Sequence, residues 1–506
     1  MGLYDFSFYD LINRNAVTFG SRICWLEIDD GRQLTFSGYK HQVDLLAIGL
    51  STAGIQKGDR IGVIGKNSLE FFLIYGAAAV LGAIVLPINW RLSADEVRFN
   101  LNDCEPKIVF ADAEFQPLLE AKRDELPSVK AIYNLKADQG EGLGFKPLMA
   151  VPGQVAPADI ASSDGLVIIH TAAVAGRPRG ALLSHANMLS ANMHFNNCFG
   201  TTPDDVHLNL LPLFHVAGLF MATSAFHAGA SNLNISKFDA KQTATLIQEN
   251  GGSLCFDFPP ILDSILKAAT EGNLDIHSLR AVVGLGTAEV IEQFQTLTGG
   301  VYYCMYGQTE TSSLATIGRY SDRPGSAGRI IPFADVRLVD DYDRPVATGA
   351  VGEITVKGPM VFKGYWNLPE DNAHAFRDGW HHTGDLARFD ADGFLFYAGR
   401  KAEKELIKPG GENVYPAEVE KVILQHPAVA QTVVIGVPDP KWKEGIKAVC
   451  QLHAGKNLTS QELIRFVGDR IAGFKKPQYV EFVSELPLKA DGTPDRSKVK
   501  SLYGQP

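Results

Sequence analysis

Residues 60–88 read RIGVIGKNSLEFFLIYGAAAVLGAIVLPI. The stretch opens on RIGVIG, a short β-branched run with the pattern of a buried strand. SLEFFLIYGAAAVLG follows with the composition of a helix, and Ser68 stands near its cap. AIVLPI is a second buried strand. Read as one block, residues 71–88 are apolar enough to raise a membrane span. The block nevertheless holds Gly76, Gly82 and a late Pro87, and the polar NSLE precedes it. A helix running into a buried strand accounts for it better than a span, which needs about 20 apolar residues.

The same alternation extends outward. SADEVRFNLNDC reads as a capped helix and KIVFAD as a strand; GLVIIH, SHANMLSANMHF, VHLNLLPLF, SLCFDF and AVVGLG continue the series. Short buried strands separated by helices predict α/β layers around mostly parallel sheets. After about Ser326 the texture changes: VRLVDDYDRPV, VGEITVKG and GFLFYAGR are strands set between Gly, Asp and Pro turns, as in a smaller β-rich region. From Lys401 mixed helix and strand signals return over roughly 100 residues, an ordinary domain size. The boundary falls at residues 400–404, giving an N-terminal domain 1–400 and a C-terminal domain 401–506.

Bulk properties narrow the function. A chain of 506 residues exceeds one ordinary core. The formal net charge of -10 gives no support to nucleic-acid binding. The six cysteines (24, 104, 198, 255, 304, 450) have no CxxC spacing, which predicts free thiols in a reducing compartment and no zinc site. The N-terminus lacks a basic region followed by an apolar core, so a secretory signal is not expected. Phe6 stands where a myristoylation motif wants Ser or Thr. A cytoplasmic protein without a transmembrane segment is expected, with room for a homodimer.

Several motifs occur in one order: HTAAVAGRPRG (170–180), PLFHVAGL (212–219), GLGTAE (284–289), YGQTETSS (306–313), GSAGRIIPFADVRLVD (325–340), GEITVKGPMVFKGYW (352–366), DGWHHTGDLARFDADGFLFYAGR (378–400) and KELIKPGGENVYPAEVE (404–420). Together they resemble the AMP-forming adenylating superfamily of acyl-CoA synthetases, luciferases and peptide-synthetase adenylation domains. The resemblance covers nearly the whole chain. It implies a large N-terminal domain of stacked α/β sheets with a β subdomain, and a small mobile α+β C-terminal domain. It also implies the chemistry. A carboxylic acid is joined to the α-phosphate of ATP with loss of pyrophosphate, and the thiol of coenzyme A then displaces AMP.

Residue roles follow from the resemblance. In YGQTE, Tyr306 stacks on adenine beside Gly307, Thr309 approaches the α-phosphate, and Glu310 holds Mg²⁺, a hard cation that suits a carboxylate. Gly286, Thr287 and Ala288 line the adenine, although the usual pattern there is Gly-Gly-Ala-Pro. Asp385 accepts the ribose hydroxyls, since one carboxylate offers four lone-pair sites. Taken alone, Asp385 beside Gly384 reads equally as a β-turn aspartate. Arg400 touches the ribose or phosphate side. His215 and FDFPPIL (256–262) wall the acyl pocket, though a lone histidine in an apolar run is more often a core residue. Lys408, Gly410, Gly411 and Glu412 enter the thioester step as part of the pantetheine tunnel, and Glu405 takes the hinge position. Lys475 and Lys476 read as a solvated pair rather than as contacts to CoA phosphate.

Two motifs depart from the family. The phosphate loop normally reads Tyr-Thr-Ser-Gly-Thr-Thr-Gly-x-Pro-Lys-Gly. Here Ala172, Ala173, Val174 and Ala175 replace Ser, Gly, Thr and Thr, and Arg179 replaces Lys, while Thr171, Gly176 and Gly180 remain. Backbone amides and a guanidinium fork can hold phosphate with fewer hydroxyls. Thr493 stands in the place of the C-terminal lysine that bridges acid and phosphate. Lys489, Arg496, Lys498 and Lys500 lie near it, with Lys498 or Arg496 favoured as the substitute. The expected activity is an ATP-dependent acid–CoA ligase acting on an aliphatic or aromatic acid. The alternatives are transfer of the acyl group to a carrier protein, and an impaired homologue that binds nucleotide or acyl-CoA. An ending at YGQP, without carrier domain or peroxisomal tail, disfavours a peptide-synthetase module.

Overall fold

A computed structural model of the chain describes residues 2–136, 143–174, 177–401, 406–412, 414–488 and 494–506. It divides into two compact units. The first gathers Met1–Trp90, Leu101–Ile169 and Gly180–Gly399; the second gathers Arg91–Asn100, His170–Arg179 and Arg400–Pro506.

In the first unit, the strand–helix–strand reading of residues 60–88 holds. Strands Arg60–Ile64 and Ile84–Ile88 pair in parallel, with Ile61 opposite Val85 and Ile64 opposite Ile88. Between them the helix Leu69–Leu81 is capped by the Ser68 hydroxyl, which accepts the Phe71 N–H, and it ends at Gly82 in the left-handed region. Every residue of this helix is buried. It lies between layers and therefore lacks the polar face of a surface helix. Phe72 on it stacks against Trp25 at 4.8 Å and meets Phe8, Tyr39 and Phe226. Trp25 belongs to one sheet and the strands flanking the helix belong to another, so a single aromatic cluster joins two layers.

Among the described residues one sheet has nine strands and another eight, both mainly parallel. A third sheet of five strands is built on Asp335–Val339, Gly352–Lys357 and Trp380–Phe389, paired antiparallel. This is the β subdomain of a mixed α/β large domain. The second unit has a three-stranded sheet of Val429–Asp439, Lys443–Leu452 and Tyr479–Val483. Helices Pro416–Ile423 and Ser460–Gly468 pack on it around Val419, Ile423, Ile446 and Leu463, which makes this the small α+β part. Among the described residues no helix is long and apolar enough to cross a membrane.

Lys475 is not solvated. Within the second unit its ammonium is buried, 2.5 Å from Glu96 and 2.6 Å from Glu418. Two carboxylates hold the lysine charged against its desolvation.

The N-terminus of the Leu69–Leu81 helix carries a second constraint. Buried Glu27 accepts the Leu69 N–H at 2.7 Å, the Asn234 amide at 2.7 Å and the Trp25 indole N–H at 3.1 Å. Burial outweighs these donors and lifts the Glu27 carboxyl to about 7 from its ordinary 4.5. The folded state therefore binds this proton more tightly than the unfolded chain does. The stability it contributes is full below about 4.5 and is lost as pH rises through about 7. Thermal melts at pH 5 and pH 8 should show wild type losing stability relative to Glu27→Gln as pH rises. A pH-independent difference would place the titration elsewhere.

Candidate active site

Strands Val206–Asn209, Leu254–Asp257, Ala281–Gly284 and Val301–Tyr306 are consecutive neighbours and run parallel. Their carboxyl ends release residues 210–215, 258–260, 285–287 and 307–311. Open parallel sheets present ligand sites at this edge. Four motif segments far apart in sequence thus share one rim.

Tyr306 and Asp385 meet. The Tyr306 hydroxyl donates to Asp385 Oδ2 at 2.8 Å, and both side chains are buried. Burial, and then the Asp385 charge, push the Tyr306 phenol well up, so it stays a neutral donor. The Gln308 amide also donates to Asp385 Oδ2, and to the Thr383 carbonyl at 3.1 Å. Tyr397 reaches Asp385 Oδ1 at 3.4 Å, and its ring stacks near Tyr306 at 6.3 Å. Gly384 and Asp385 lie not in a β-turn but within the strand Trp380–Phe389, at a register irregularity where Gly384 has φ of 68° and Glu353 Oε1 accepts its N–H at 2.9 Å. Gln308, Glu353 and Tyr397 lie within the quoted motifs but carry no role in the sequence reading, because their contacts, to Asp385 and to the Gly384 N–H, form only on folding.

Glu310 sits in a short 3₁₀ turn, Thr309–Thr311, just past Gly307. Its Oε1 accepts the Tyr365 hydroxyl at 2.7 Å, and its carbonyl accepts the Phe362 N–H at 2.9 Å. The GPMVFKGYW motif therefore braces this carboxylate. The described residues form no three-ligand cluster that includes Glu310. A Mg²⁺ there would rest on this one carboxylate with phosphate oxygens and water, a common arrangement for that ion. Thr287 caps the helix Ala288–Thr298, its hydroxyl accepting the Val290 N–H at 3.4 Å, so Gly286, Thr287 and Ala288 form a helix entrance.

His215 caps the helix Val216–Ala228; its Nδ1 accepts the Ala217 N–H at 3.3 Å. Its ring meets Phe258 edge to face at 6.3 Å, and Phe258 stacks on Phe256 at 5.3 Å. Phe195 adds an edge contact to Phe256. Asn67 pins the approach to His215: its amide donates to the Leu211 carbonyl and its oxygen accepts the Leu213 N–H, both at 2.8 Å. Tyr75 donates to the Leu213 carbonyl at 2.9 Å. Asn67 escapes a sequence reading because its partners are some 145 residues away.

In the second unit, the Thr171 hydroxyl donates to the Arg179 carbonyl at 3.3 Å, and Arg179 is buried. Of HTAAVAGRPRG, residues 170–174 end the strand Gly165–Val174 and residues 177–180 begin the strand Arg177–Ser184. Gly180, counted with the first unit, accepts the Trp366 N–H at 2.7 Å through its carbonyl. Arg400 donates to the Leu406 carbonyl at 3.1 Å. The Lys408 N–H is held by Glu444 at 2.7 Å, and Glu412 pairs with Arg91 at 2.9 Å. Gly410, with Gly411 beside it, has φ of 59°, and a Cβ there would come within 2.7 Å of the Trp442 ring. Arg496 is tied to Glu420 at 2.7 Å, which weighs against it as the substitute cation, while Lys498 is largely exposed beside Asp495. Gly176, Glu405, Lys489 and Thr493 lie outside the described residues.

Comparison with known proteins places the chain in a family. The family model described as AMP-binding enzyme matches residues 12–366, and that of the AMP-binding enzyme C-terminal domain matches residues 418–493. The indoleacetate–CoA ligase of Aromatoleum aromaticum is 34% identical, over 94% of each chain. The long-chain-fatty-acid–CoA ligase FadD13 of Mycobacterium tuberculosis is 30% identical, over 97% of each. A variant o-succinylbenzoate CoA synthetase of Bacillus subtilis, solved with a product analogue, superposes with a TM-score of 0.86 at 26% identity, over 97% of each chain. With matches along its whole length, the chain belongs to the AMP-binding enzyme family, as an AMP-forming acid–CoA ligase.

Proposed function

We propose that this ligase activates an aryl-substituted carboxylic acid, with residues 1–400 forming the adenylate and residues 401–506 serving transfer to CoA. The observation that carries the acid class is the ring series of His215, Phe258 and Phe256 at the sheet's carboxyl edge, backed from the core by Phe195. Offset and edge-to-face packing favours a planar ring over a flexible chain. The indoleacetate and o-succinylbenzoate relatives are named for ring-bearing acids and support this reading; FadD13 is named for the aliphatic rival.

The residues divide the work. His215 accepts a backbone N–H at Nδ1, so its proton resides on Nε2, the tautomer able to donate to the acid's carboxylate. Asp385, oriented by Tyr306 and Gln308, has lone pairs left for the ribose hydroxyls. By the motif resemblance alone, Thr309, Thr171, Gly176, Arg179 and Gly180 are assigned to the phosphates. Glu310 would hold Mg²⁺, which offsets charge on the phosphate oxygens when bound. The acid's oxygen attacks the α-phosphorus and pyrophosphate leaves; the CoA sulfur then attacks the carbonyl carbon and AMP leaves. Preorganised donors lower both barriers most where charge develops. Lys408, Gly410, Gly411 and Glu412 belong to the second step. Six free thiols suit a reducing compartment such as the cytoplasm.

A panel of acids assayed by pyrophosphate release should give arylacetic or cinnamic-type acids at least roughly tenfold higher kcat/KM than medium- and long-chain fatty acids, a difference within the reach of pocket fit. A preference for fatty acids would overturn the acid class. Glu310→Gln keeps an acceptor for Tyr365 and should fold normally, yet lose about 10²-fold in adenylation; an unchanged rate would remove Glu310 from the site. Gly410→Ala meets both the φ penalty and the Trp442 ring. It should slow thioester formation about tenfold while ATP–pyrophosphate exchange stays near wild type, which measuring each half-reaction separately will show.

A further inference from the structure

Asp257, within the FDFPPIL segment, and Tyr302 have been given no individual role above, yet both are buried. Asp257 is the last residue of strand Leu254–Asp257 and is 1% exposed. Tyr302, on the neighbouring-but-one strand Val301–Tyr306, is fully buried. The two carboxylate oxygens of Asp257 serve different partners. Oδ1 accepts the Leu262 N–H at 3.0 Å, closing the turn that carries Phe258; Oδ2 accepts the Tyr302 hydroxyl at 3.0 Å. The Tyr302 oxygen in turn accepts the Gly286 N–H at 2.6 Å. One continuous chain of hydrogen bonds therefore runs from the turn bearing the acid-side ring wall to the adenine-side helix entrance.

We propose that Asp257 and Tyr302 are positioning residues that set the acid-side turn and the adenine-side loop together, so that each substrate is held in register with the other. This rests on the reading of residues 256–262 and 284–288 as the acid and adenine walls.

The contacts leave the chain little freedom. A Cβ on Gly286 would come within 2.9 Å of the Tyr302 hydroxyl oxygen, so only glycine lets the backbone N–H reach that oxygen. Tyr302 is held neutral by burial and by the Asp257 charge, so it keeps the proton it donates. A buried carboxylate is costly unless its lone pairs are taken up. Filling the space alone would need only apolar side chains, as in the surrounding core of Leu262, Ile291 and Phe294. The acid-to-amide geometry instead links two segments whose separation must match one substrate pair, since effective attack requires the carboxylate and the α-phosphorus to be placed within a fraction of an ångström.

The test measures ATP–pyrophosphate exchange with the full chain, obtaining KM for ATP and for the best acid separately. The variants are Tyr302→Phe, Asp257→Asn, the double variant and Asp385→Asn. Tyr302→Phe should raise both KM values about tenfold, with kcat changed much less. The double variant should be no worse than the more damaging single one, because both break the same chain. If Tyr302→Phe lowers the melting temperature but leaves both KM values at wild type, the pair is only structural and the proposal falls. Should Tyr302→Phe fail to fold, the isosteric Asp257→Asn decides by the same two KM values. Asp385→Asn separates the two failures. If it raises KM for ATP while the Asp257 and Tyr302 variants do not, the coupling alone is wrong. If it leaves KM for ATP unchanged, the nucleotide assignment is wrong and the proposal falls with it.

Discussion

A helix with no side facing water has to be apolar all the way round, and Leu69–Leu81 is such a helix. Around it the first unit closes two sheets, with Phe72 reaching Trp25 on one side and the flanking strands pairing on the other. Its few polar groups become structural hooks. Glu27 takes the first helical N–H, Tyr75 donates to the Leu213 carbonyl, and Asn67, just before the cap, holds Leu211 and Leu213. The element that fills the core thus also fixes the segment that ends at His215. Removing Phe72 would cost the core about 3–5 kcal/mol by cavity formation and would loosen the segment these hooks restrain.

The rim of the nine-stranded sheet shows the complementary principle. Parallel strands consume their backbone hydrogen bonds with one another, and the chain becomes available for binding only where the strands stop. Glu310, just past one of these ends, is braced by Tyr365, and in the five-stranded sheet Asp385 is held by Tyr306 and Gln308 and the irregular strand at Gly384 by Glu353, all partners distant in sequence. Each of these carboxylates is fixed by the fold itself.

The second unit uses charge differently. Lys475 is buried between Glu96 and Glu418, Arg496 is occupied by Glu420, and Glu412 by Arg91. Cations that look interchangeable along the C-terminal sequence are distinguished by these pairings. Arg496 is committed to a carboxylate and a backbone carbonyl of its own unit, whereas Lys498 stays at the surface.

The residues alone determined the layer pattern and the order of motifs. The apolar periodicity of residues 60–88 dictates strand, helix and strand, because each element must bury its apolar surface, and Ser68 marks where the helix begins. Tyr306, Glu310 and Asp385 stand in local motifs, from which the resemblance implies a stacking ring, a metal-compatible carboxylate and an acceptor. Which residues hold them was decided only by tertiary structure. Gln308 and Tyr397 act on Asp385 across 77 and 12 positions, and Asn67 acts on Leu213 across 146, separations over which no sequence period runs. The same reason hid the burial of Lys475: a lysine pair in FKKP looks solvated until Glu96, 379 positions away, is folded against it. A side chain's charge is written in the sequence, but its dielectric surroundings and its partner exist only once the chain has closed.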